Sequence, residues 1–197
     1  DDILSNNNPL RSIEYIYCNK KGKSNALNKA LAMTKTTNFI TVDADTYLEK
    51  NAVQRIMNKI IHEKAACVAG NLFVSNTKTS LTAKMQNYDY LLSIAGIKRF
   101  QGSYQTTLVA QGAFSAYNTQ IVKKIGGWRE AVGEDIVLTY SILKEGFQSL
   151  YEPYAVGYTV VPEKLANLYR QRKRWAIGML EAFREVKPWN QKTLFSK

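Results

Sequence analysis

Two aspartates one residue apart close an apolar run of the sequence, FITVDAD, at residues 39–45. The run is typical of a β-strand, in which side chains two residues apart point to the same face of the sheet. Two carboxylates directed at one point can provide half the ligands of a hard cation such as Mg²⁺ or Mn²⁺, with water and diphosphate oxygens as the rest. Asp43 and Asp45 are therefore candidate metal ligands. The alternatives are two acids in an ordinary turn, or the Walker B aspartate of a nucleoside triphosphatase.

A second acidic pair, Glu134 and Asp135, follows Gly133 at the predicted start of a helix over 134–145. Carboxylates in the first turn of a helix are stabilised by the helix dipole, so a purely structural role would explain the pair. The dipole also keeps such a carboxylate ionised, and an ionised carboxylate can act as a general base at neutral pH. Both interpretations remain open from these residues alone.

Gln171, Arg174 and Trp175 are spaced to share one face of a predicted helix over 163–186. Arginine can bind a phosphate through two parallel hydrogen bonds, and an indole ring can stack on the apolar face of a sugar. The alternative is a basic amphipathic helix with Trp175 buried in the core.

The segment Gly22-Lys23-Ser24 follows a predicted strand and opens a predicted helix over 24–34. It is not a Walker A loop, because Tyr17 stands where that motif requires its first glycine. Lys23 is nevertheless predicted to lie near the positive end of the helix, where an anion is favoured. The alternative is a plain turn with Ser24 as the N-cap.

The chain has 197 residues, of which 45% are hydrophobic, and this predicts one globular domain. Its net charge of +11 would attract a nucleotide-sugar, a nucleic acid or an acidic membrane, or would simply keep the surface soluble. We predict that Cys18 and Cys67 are reduced core thiols, as in a reducing compartment. The sequence contains one histidine, His62, and this excludes a histidine-rich metal site. His62 is predicted to lie on the surface. No apolar run is long enough for a membrane-spanning helix.

The order of the predicted elements indicates an α/β domain with a mostly parallel sheet covered on both faces and a ligand site at the carboxyl ends of its strands. The strand candidates are 13–18, 38–43, 66–74, 107–117 and 148–160. The helix candidates are 24–34, 50–63, 80–98, 119–125, 134–145 and 163–186, and they follow from helical spacing of apolar residues and from glycine and proline stops.

Taken in order, the motifs around Lys23, Asp43, Asp135 and Trp175 resemble those of the processive, inverting family-two glycosyltransferases, the membrane synthases of cellulose, chitin, hyaluronan and poly-N-acetylglucosamine. The resemblance covers about residues 19–180. Within the family, the stretches at 68–71, 97–101 and 162–165 are most similar to bacterial poly-β-1,6-N-acetylglucosamine synthases. The resemblance implies a GT-A-like α/β fold, a mixed sheet flanked by helices that lacks its N-terminal strand or strands in this sequence. It implies one catalytic domain over 1–197, with 181–197 as an interface or C-terminal extension.

The resemblance also implies a role for each motif. Asp43 and Asp45 would hold Mg²⁺ or Mn²⁺ with the diphosphate of UDP, and Asp135, beside Glu134, would be the general base. The residues expected near the donor diphosphate and the acceptor are Lys23, Gln171, Arg174 and Trp175. The expected partners are a UDP-sugar donor that carries N-acetylglucosamine and a growing polysaccharide acceptor, with no nucleic acid.

Further expectations concern the protein as a whole. The full-length protein would be embedded in the cell membrane with this domain at its cytoplasmic face. The isolated sequence is expected to be inactive, because the family's first strands hold the uracil and ribose. Gln111-Gly112 replaces the serine-glycine or cysteine-glycine that the family often carries before the acceptor strand, and an altered acceptor pocket is therefore expected.

A different class of function remains as the rival. The chain could be a non-catalytic, basic module that binds nucleotides or nucleic acid, since residues 164–174 contain five basic side chains. A P-loop-like nucleoside triphosphatase is a third alternative, weakened by Tyr17.

Overall fold

The computed structural model describes residues 13–103 and 106–187. Within these ranges five strands form one sheet, and helices cover it. The strands are β1 (Asn38–Val42), β2 (Thr46–Leu48), β3 (Cys67–Val74), β4 (Phe114–Asn118) and β5 (Ser149–Thr159). The α-helices are α1 (Lys23–Met33), α2 (Ala52–His62), α3 (Leu81–Tyr90), α4 (Ile97–Ser103), α5 (Thr119–Ile125), α6 (Glu134–Lys144) and α7 (Leu165–Val186), and a π-helical segment, Leu91–Gly96, joins α3 to α4.

The sheet is mixed, with the strand order β1-β4-β3-β5-β2. β3 and β5 are parallel, whereas β4 runs antiparallel to both β1 and β3, and β2 runs antiparallel to β5. The expectation of a mostly parallel sheet is therefore wrong. The reason lies in β4, which is shorter than the candidate 107–117 and enters the sheet from the opposite end after the long α3–α4 helix. The mixed sheet implied by the family resemblance is confirmed.

The first strand candidate is also wrong, because residues 13–18 adopt no strand. β2 was not predicted, since three residues are too few to show an alternating pattern. The other candidates match the described elements to within a few residues at their ends, apart from the 107–117 strand and the 80–98 helix, which contains the π-helical segment and continues to residue 103.

The two edge strands of the sheet are joined by only three residues, Asp43 to Asp45. In a flat sheet the edges of five strands would lie about 19 Å apart, at four spacings of ~4.8 Å. Four Cα–Cα steps reach only about 15 Å. The sheet must therefore curl at this end, which is consistent with the irregularity in the β3–β5 pairing between Ala69 and Asn71. The curl brings the acidic turn, Asp43 to Asp45, across this end of the sheet.

Three apolar clusters hold the layers together. One packs α2 and α3 on the sheet through residues such as Ile56, Ile60 and Phe114. A second lies around Tyr117 and Trp128 beneath α5 and α6, and a third packs α6 on α7.

Both cysteines are free, as expected. Cys67 is buried, and burial raises the pKa of its thiol to about 12. Cys18 is only half-buried, so its assignment to the core is wrong. His62 is exposed, as expected.

Candidate active site

The Asp43–Asp45 segment is a turn, and this differs from the sequence prediction. β1 ends at Val42, and the backbone N–H of Thr46 donates to the carbonyl of Asp43 at 3.0 Å. Asp45 therefore lies in the turn and not on a strand, so strand alternation is not what determines the relative direction of the two carboxylates. Asp45 is exposed and close enough to Tyr90 that its charge helps to raise the pKa of that phenol, after the larger effect of burial.

Lys23 connects the acidic turn to the second acidic pair. Its ammonium Nζ lies 2.7 Å from Asp43 Oδ1 and 3.7 Å from Glu134 Oε1. Partial burial works to lower the pKa of Lys23, but the hydrogen bond and charge of Asp43, followed by the charges of Glu134 and Asp135, raise it overall. Lys23 is thus a fully charged cation among three carboxylates.

The position of Lys23 follows from the start of α1. Gly22 is the N-cap with a φ of 121°, a backbone conformation that favours glycine, and Lys23 is the first helical residue. Ser24 is not the N-cap, because it is buried and its hydroxyl donates to the carbonyl of Arg129 at 2.9 Å. That bond ties the start of α1 to the loop that precedes α6.

Glu134 and Asp135 are the first two residues of α6, as predicted. The N-cap is Gly133, which provides no side-chain cap, so neither acid occupies the capping position itself. Asp135 Oδ2 accepts from the N–H of Gly112 at 3.1 Å, and Oδ1 accepts from the N–H of Ile136 at 2.9 Å. These bonds fix the carboxylate of Asp135 against the segment that leads into β4.

Glu134 has a different electrostatic environment. Burial raises the pKa of its carboxyl, and the charge of Asp135 raises it further, while the charges of Lys23 and Arg174 act in the opposite direction. The influence of Arg174 shows that the α7 motif reaches the same region as Lys23 and the acidic pair. The structure thus brings Lys23, the turn with Asp43, the pair Glu134 and Asp135, and Arg174 of the α7 motif to one end of the sheet.

The α7 motif lies in the middle of its helix. Gln171 is half-buried, and its Oε1 is buried with no hydrogen-bond partner among the described residues. Arg174 is exposed. Trp175 is 39% exposed and belongs to none of the three apolar clusters, so the alternative that it is a core residue is wrong.

Sequence reasoning missed Arg172 within the same motif. Its guanidinium lies 4.4 Å from the centre of the Trp175 ring and forms an ion pair with Asp89 of α3. One face of the indole is therefore covered by a cation, and α7 is tied to α3 at this point. The three-residue spacing between Arg172 and Trp175 was the signal that could have revealed the contact.

Lys98 was also missed as a site residue. This lysine of α4 is only 7% exposed, and burial lowers its pKa to about 7, although the charge of Asp135 acts to raise it. A buried lysine near a candidate base is unusual. Its position on a helix that was predicted to end at residue 98 gave no sign of its burial.

Two glycines set the distance between α7 and the start of α6. A Cβ atom placed on Gly133 would lie 2.9 Å from the Cα of Gly178, and one placed on Gly178 would lie 2.8 Å from the Cα of Gly133. Both distances are shorter than real Cβ contacts, so the backbones touch only because neither residue has a side chain. Next to this contact, Glu181 Oε2 accepts from the N–H of Val132 at 2.8 Å.

The residues present fit a divalent cation that is shared with a substrate. Among the described residues, no group of three or more acidic, histidine or cysteine side chains could hold a metal by itself. Mg²⁺ is commonly bound by one or two carboxylates together with substrate phosphates, and not by a cage made wholly of protein. Asp43 and Asp45 provide two such carboxylates at an accessible turn.

The site therefore combines accessible carboxylates, a lysine and an arginine around one region, with an exposed indole nearby. The cations suit a phosphorylated ligand, the oriented Asp135 carboxylate can accept a proton, and the indole offers a surface for a sugar ring. In the described part of the chain, no helix is both long and apolar enough to span a membrane.

Comparisons with known proteins show which proteins this chain is similar to. The family model described as glycosyltransferase-like family 2 matches residues 6–178. The chain is 32% identical over 160 residues to the poly-beta-1,6-N-acetyl-D-glucosamine synthase of Staphylococcus aureus, covering 80% of this chain and 39% of the relative. It is 30% identical over the same length to the synthase of that name from Staphylococcus epidermidis. The chain thus spans about two fifths of the length of these relatives.

The fold also matches a solved structure. The mannosyltransferase PcManGT from Pyrobaculum calidifontis, in complex with GDP-Man and Mn²⁺, superposes with a TM-score of 0.64 at 16% identity, covering 90% of this chain and 50% of that one. At this identity the likeness shows the fold alone, and it confirms the GT-A-like fold class.

Proposed function

The chain belongs to glycosyltransferase-like family 2, and we propose that it is the catalytic domain of an inverting polysaccharide synthase. The reaction would transfer a sugar, which we take to be N-acetylglucosamine, from a UDP-sugar to the end of a growing polysaccharide. The choice of sugar is supported by the synthases from the two staphylococci. We propose that the complete protein acts at the cytoplasmic face of the cell membrane, where a UDP-sugar is available.

Asp135 is the proposed general base. Its carboxylate would take the proton from the acceptor hydroxyl as the hydroxyl oxygen attacks the anomeric carbon from the face opposite UDP. The new glycosidic bond forms while the bond from the anomeric carbon to the UDP oxygen breaks, so the configuration inverts. The N–H groups of Gly112 and Ile136 hold the Asp135 carboxylate in place.

The cations of the site would receive the negative charge of the leaving group. Lys23 and Arg174 would bind the donor diphosphate and stabilise the charge that develops on it as UDP departs. A divalent cation held by Asp43 and Asp45 would neutralise further charge on that diphosphate. Trp175 would stack on a sugar of the acceptor through the face of its ring that Arg172 leaves free. Gln171, whose Oε1 has no partner among the described residues, would hydrogen-bond to the acceptor or the diphosphate.

A single observation carries the proposal: Lys23 lies within ion-pair distance of both Asp43 and Glu134. The proposed metal ligands and the proposed base come from motifs about ninety residues apart in the sequence. One lysine that contacts both acidic segments supports a single site for the diphosphate and the reacting hydroxyl.

Incorporation of labelled sugar into polymer by membranes that contain the complete protein tests the proposal. UDP-N-acetylglucosamine should support synthesis, and GDP-mannose, matched in concentration, should not. Polymer formed from GDP-mannose alone would contradict the proposed donor, and failure with every nucleotide-sugar would contradict the proposed activity.

The nucleic-acid-binding alternative is tested with the same protein. It requires polynucleotide binding that weakens steeply with salt, so that the logarithm of the binding constant falls linearly with the logarithm of the salt concentration. Among the described residues no specific observation favours it, and Arg172 of the basic stretch is already paired with Asp89 and with the indole of Trp175.

A further inference from the structure

The reaction proposed above requires α7 and α6 to be held at a fixed separation. Arg174 and Trp175 are carried by α7, whereas Asp135 is carried by the first turn of α6. A displacement of about 1 Å between reacting groups can cost on the order of 10²-fold in rate, so something must set this distance.

The closest approach of the two segments lies next to both motifs. Gly133 immediately precedes Glu134, and Gly178 follows Arg174 by four residues and Trp175 by three, which places the three α7 residues on one face of the helix. The same face continues through Ala182 and Val186, which are buried against α6. The Gly133–Gly178 contact is therefore the point at which this face meets the start of α6.

The contact is reinforced by polar groups of α7. Glu181, one turn beyond Gly178, accepts the N–H of Val132 at 2.8 Å. Glu185, one turn further, forms an ion pair with Arg129. The loop that leads into the acidic pair is thus attached to α7 at successive turns of the helix.

We propose that Gly178 and Glu181 are positioning residues for catalysis. This proposal rests on the function proposed above. Gly178 allows the backbones to touch, and Glu181 holds the loop in register through Val132. Together they set the distance that separates Arg174 and Trp175 of α7 from Asp135 of α6. Neither residue contacts substrate in this scheme.

Gly178→Ala tests this role because the substitution should improve the helix while it disturbs the contact. Alanine has a higher helix propensity than glycine, so α7 itself should not be weakened. The added methyl group would meet the Gly133 backbone at 2.8 Å, and α7 must move to relieve the overlap. We expect kcat to fall about 10- to 100-fold. UDP affinity in the presence of Mn²⁺ should fall less than kcat does, because Arg174 is the only cation of α7 proposed to bind the diphosphate, whereas Lys23, Asp43 and Asp45 lie on other segments.

Two substitutions serve as matched controls. Gly102→Ala is the same chemical change on α4, where a Cβ atom would meet no atom within 4 Å. Ala176→Gly lowers helix propensity at an exposed position of α7 without touching the contact. Both variants should keep near wild-type kcat. The proposal would be overturned if kcat fell as much in Ala176→Gly as in Gly178→Ala. It would also be overturned if Gly178→Ala kept the wild-type kcat.

A second pair decides the question even if Gly178→Ala does not fold. Glu181→Ala removes the acceptor for Val132 and should lower kcat several-fold, about 3- to 10-fold, while Glu181→Gln keeps an acceptor oxygen and should restore activity. Equal kcat in the two Glu181 variants would overturn the proposal. Asp135→Asn separates it from the proposed function: if that variant stays active, the function is wrong, whereas an inactive Asp135→Asn beside a fully active Gly178→Ala removes only the positioning role.

Discussion

Lys23 and Asp43 are joined by a hydrogen-bonded ion pair of 2.7 Å between Nζ and Oδ1. The same ammonium lies 3.7 Å from Glu134, so one side chain neutralises parts of two acidic motifs. Without such a cation, the carboxylates of Asp43, Glu134 and Asp135 would repel one another and any diphosphate that entered the site. Under the proposed function, the pair would allow this acidic site to accept an anionic donor.

Substitution of this lysine should weaken donor binding. Lys23→Met removes the charge but keeps much of the length of the side chain, and we expect UDP affinity to fall about tenfold because a charge-assisted contact is lost. Lys21→Met, which removes the same charge two residues earlier, is the control and should bind UDP normally. Calorimetry measures both, and equal affinity in the two variants would exclude a donor contact for Lys23.

The metal prediction concerns the acidic turn. We expect UDP binding by the complete protein to depend on Mn²⁺ and to be abolished by EDTA, because two carboxylates and the diphosphate would share the cation. The double variant Asp43→Ala, Asp45→Ala should bind UDP equally weakly with and without Mn²⁺, whereas Glu63→Gln, at the residue that follows α2, should behave as wild type. UDP affinity that EDTA leaves unaltered in the wild-type protein would contradict a metal site.

The general-base prediction concerns Asp135. Asp135→Asn preserves the shape and an acceptor oxygen for Gly112, but it removes the group that takes the proton. General-base catalysis contributes ~10²–10⁴-fold, so turnover in membranes should fall by about that factor while UDP-sugar affinity changes little. If Asp135 only stabilises the start of α6, Asn should cost well under ~1 kcal/mol of stability and turnover should survive. Near wild-type polymer synthesis would therefore remove the base assignment.

A stability prediction follows from the buried amine of Lys98. Its pKa of about 7 in the folded chain lies below the ordinary value of 10.5, so the unfolded chain binds more protons between these pH values. The free energy of unfolding is therefore greatest at high pH, where the Lys98 amine is neutral in both states. It decreases as the pH falls from about 10.5 to about 7, because the unfolded chain then takes up a proton that the folded chain does not.

The variant Lys98→Met removes this dependence. It should be more stable than wild type near pH 7, by roughly 5 kcal/mol at most, and the advantage should shrink as the pH approaches about 10. Urea unfolding across this range measures the difference. A constant difference at every pH would show that Lys98 keeps an ordinary pKa.

The packing of the sheet gives another stability prediction. A Cβ atom on Gly70 of β3 would overlap the ring of Phe114, which is fully buried. Gly70→Ala should therefore cost about 1–3 kcal/mol, as expected for overpacking a core. Gly102→Ala, which adds a methyl group in open space, is the control in thermal unfolding. Equal melting temperatures for the two variants would mean that β3 shifts without cost.

The sequence was sufficient to predict those parts of the site that depend on local spacing. Glu134 and Asp135 open α6 as expected, because acids and a preceding glycine mark a helix start within a few residues. The shared face of Gln171, Arg174 and Trp175 follows from helical geometry in the same way. The family resemblance then indicated a mixed sheet, which the alternation of elements alone did not.

The parts that could not be predicted depend on contacts between distant segments. Asp45 leaves the strand because the chain must cross from β1 to β2, and no local pattern shows where β2 pairs. Lys98 is buried by packing of α4 on the sheet, although lysine is ordinarily exposed. The contact between Gly133 and Gly178 joins the start of α6 to the interior of α7, forty-five residues apart in the sequence, and glycine by itself indicates only conformational freedom.

The π-helical segment Leu91–Gly96 has a consequence for how the chain can change in length. A π-helical turn accommodates one residue more than an α-helical turn, so it is equivalent to a single insertion absorbed within a helix. Deleting one residue inside 91–96 would allow a regular α-helix while α3 and α4 kept their orientations. The same deletion inside α4, upstream of Lys98, would rotate that amine by about 100° around the helix axis and out of the interior. Related chains should therefore tolerate a one-residue gap at Leu91–Gly96 and exclude one immediately after it.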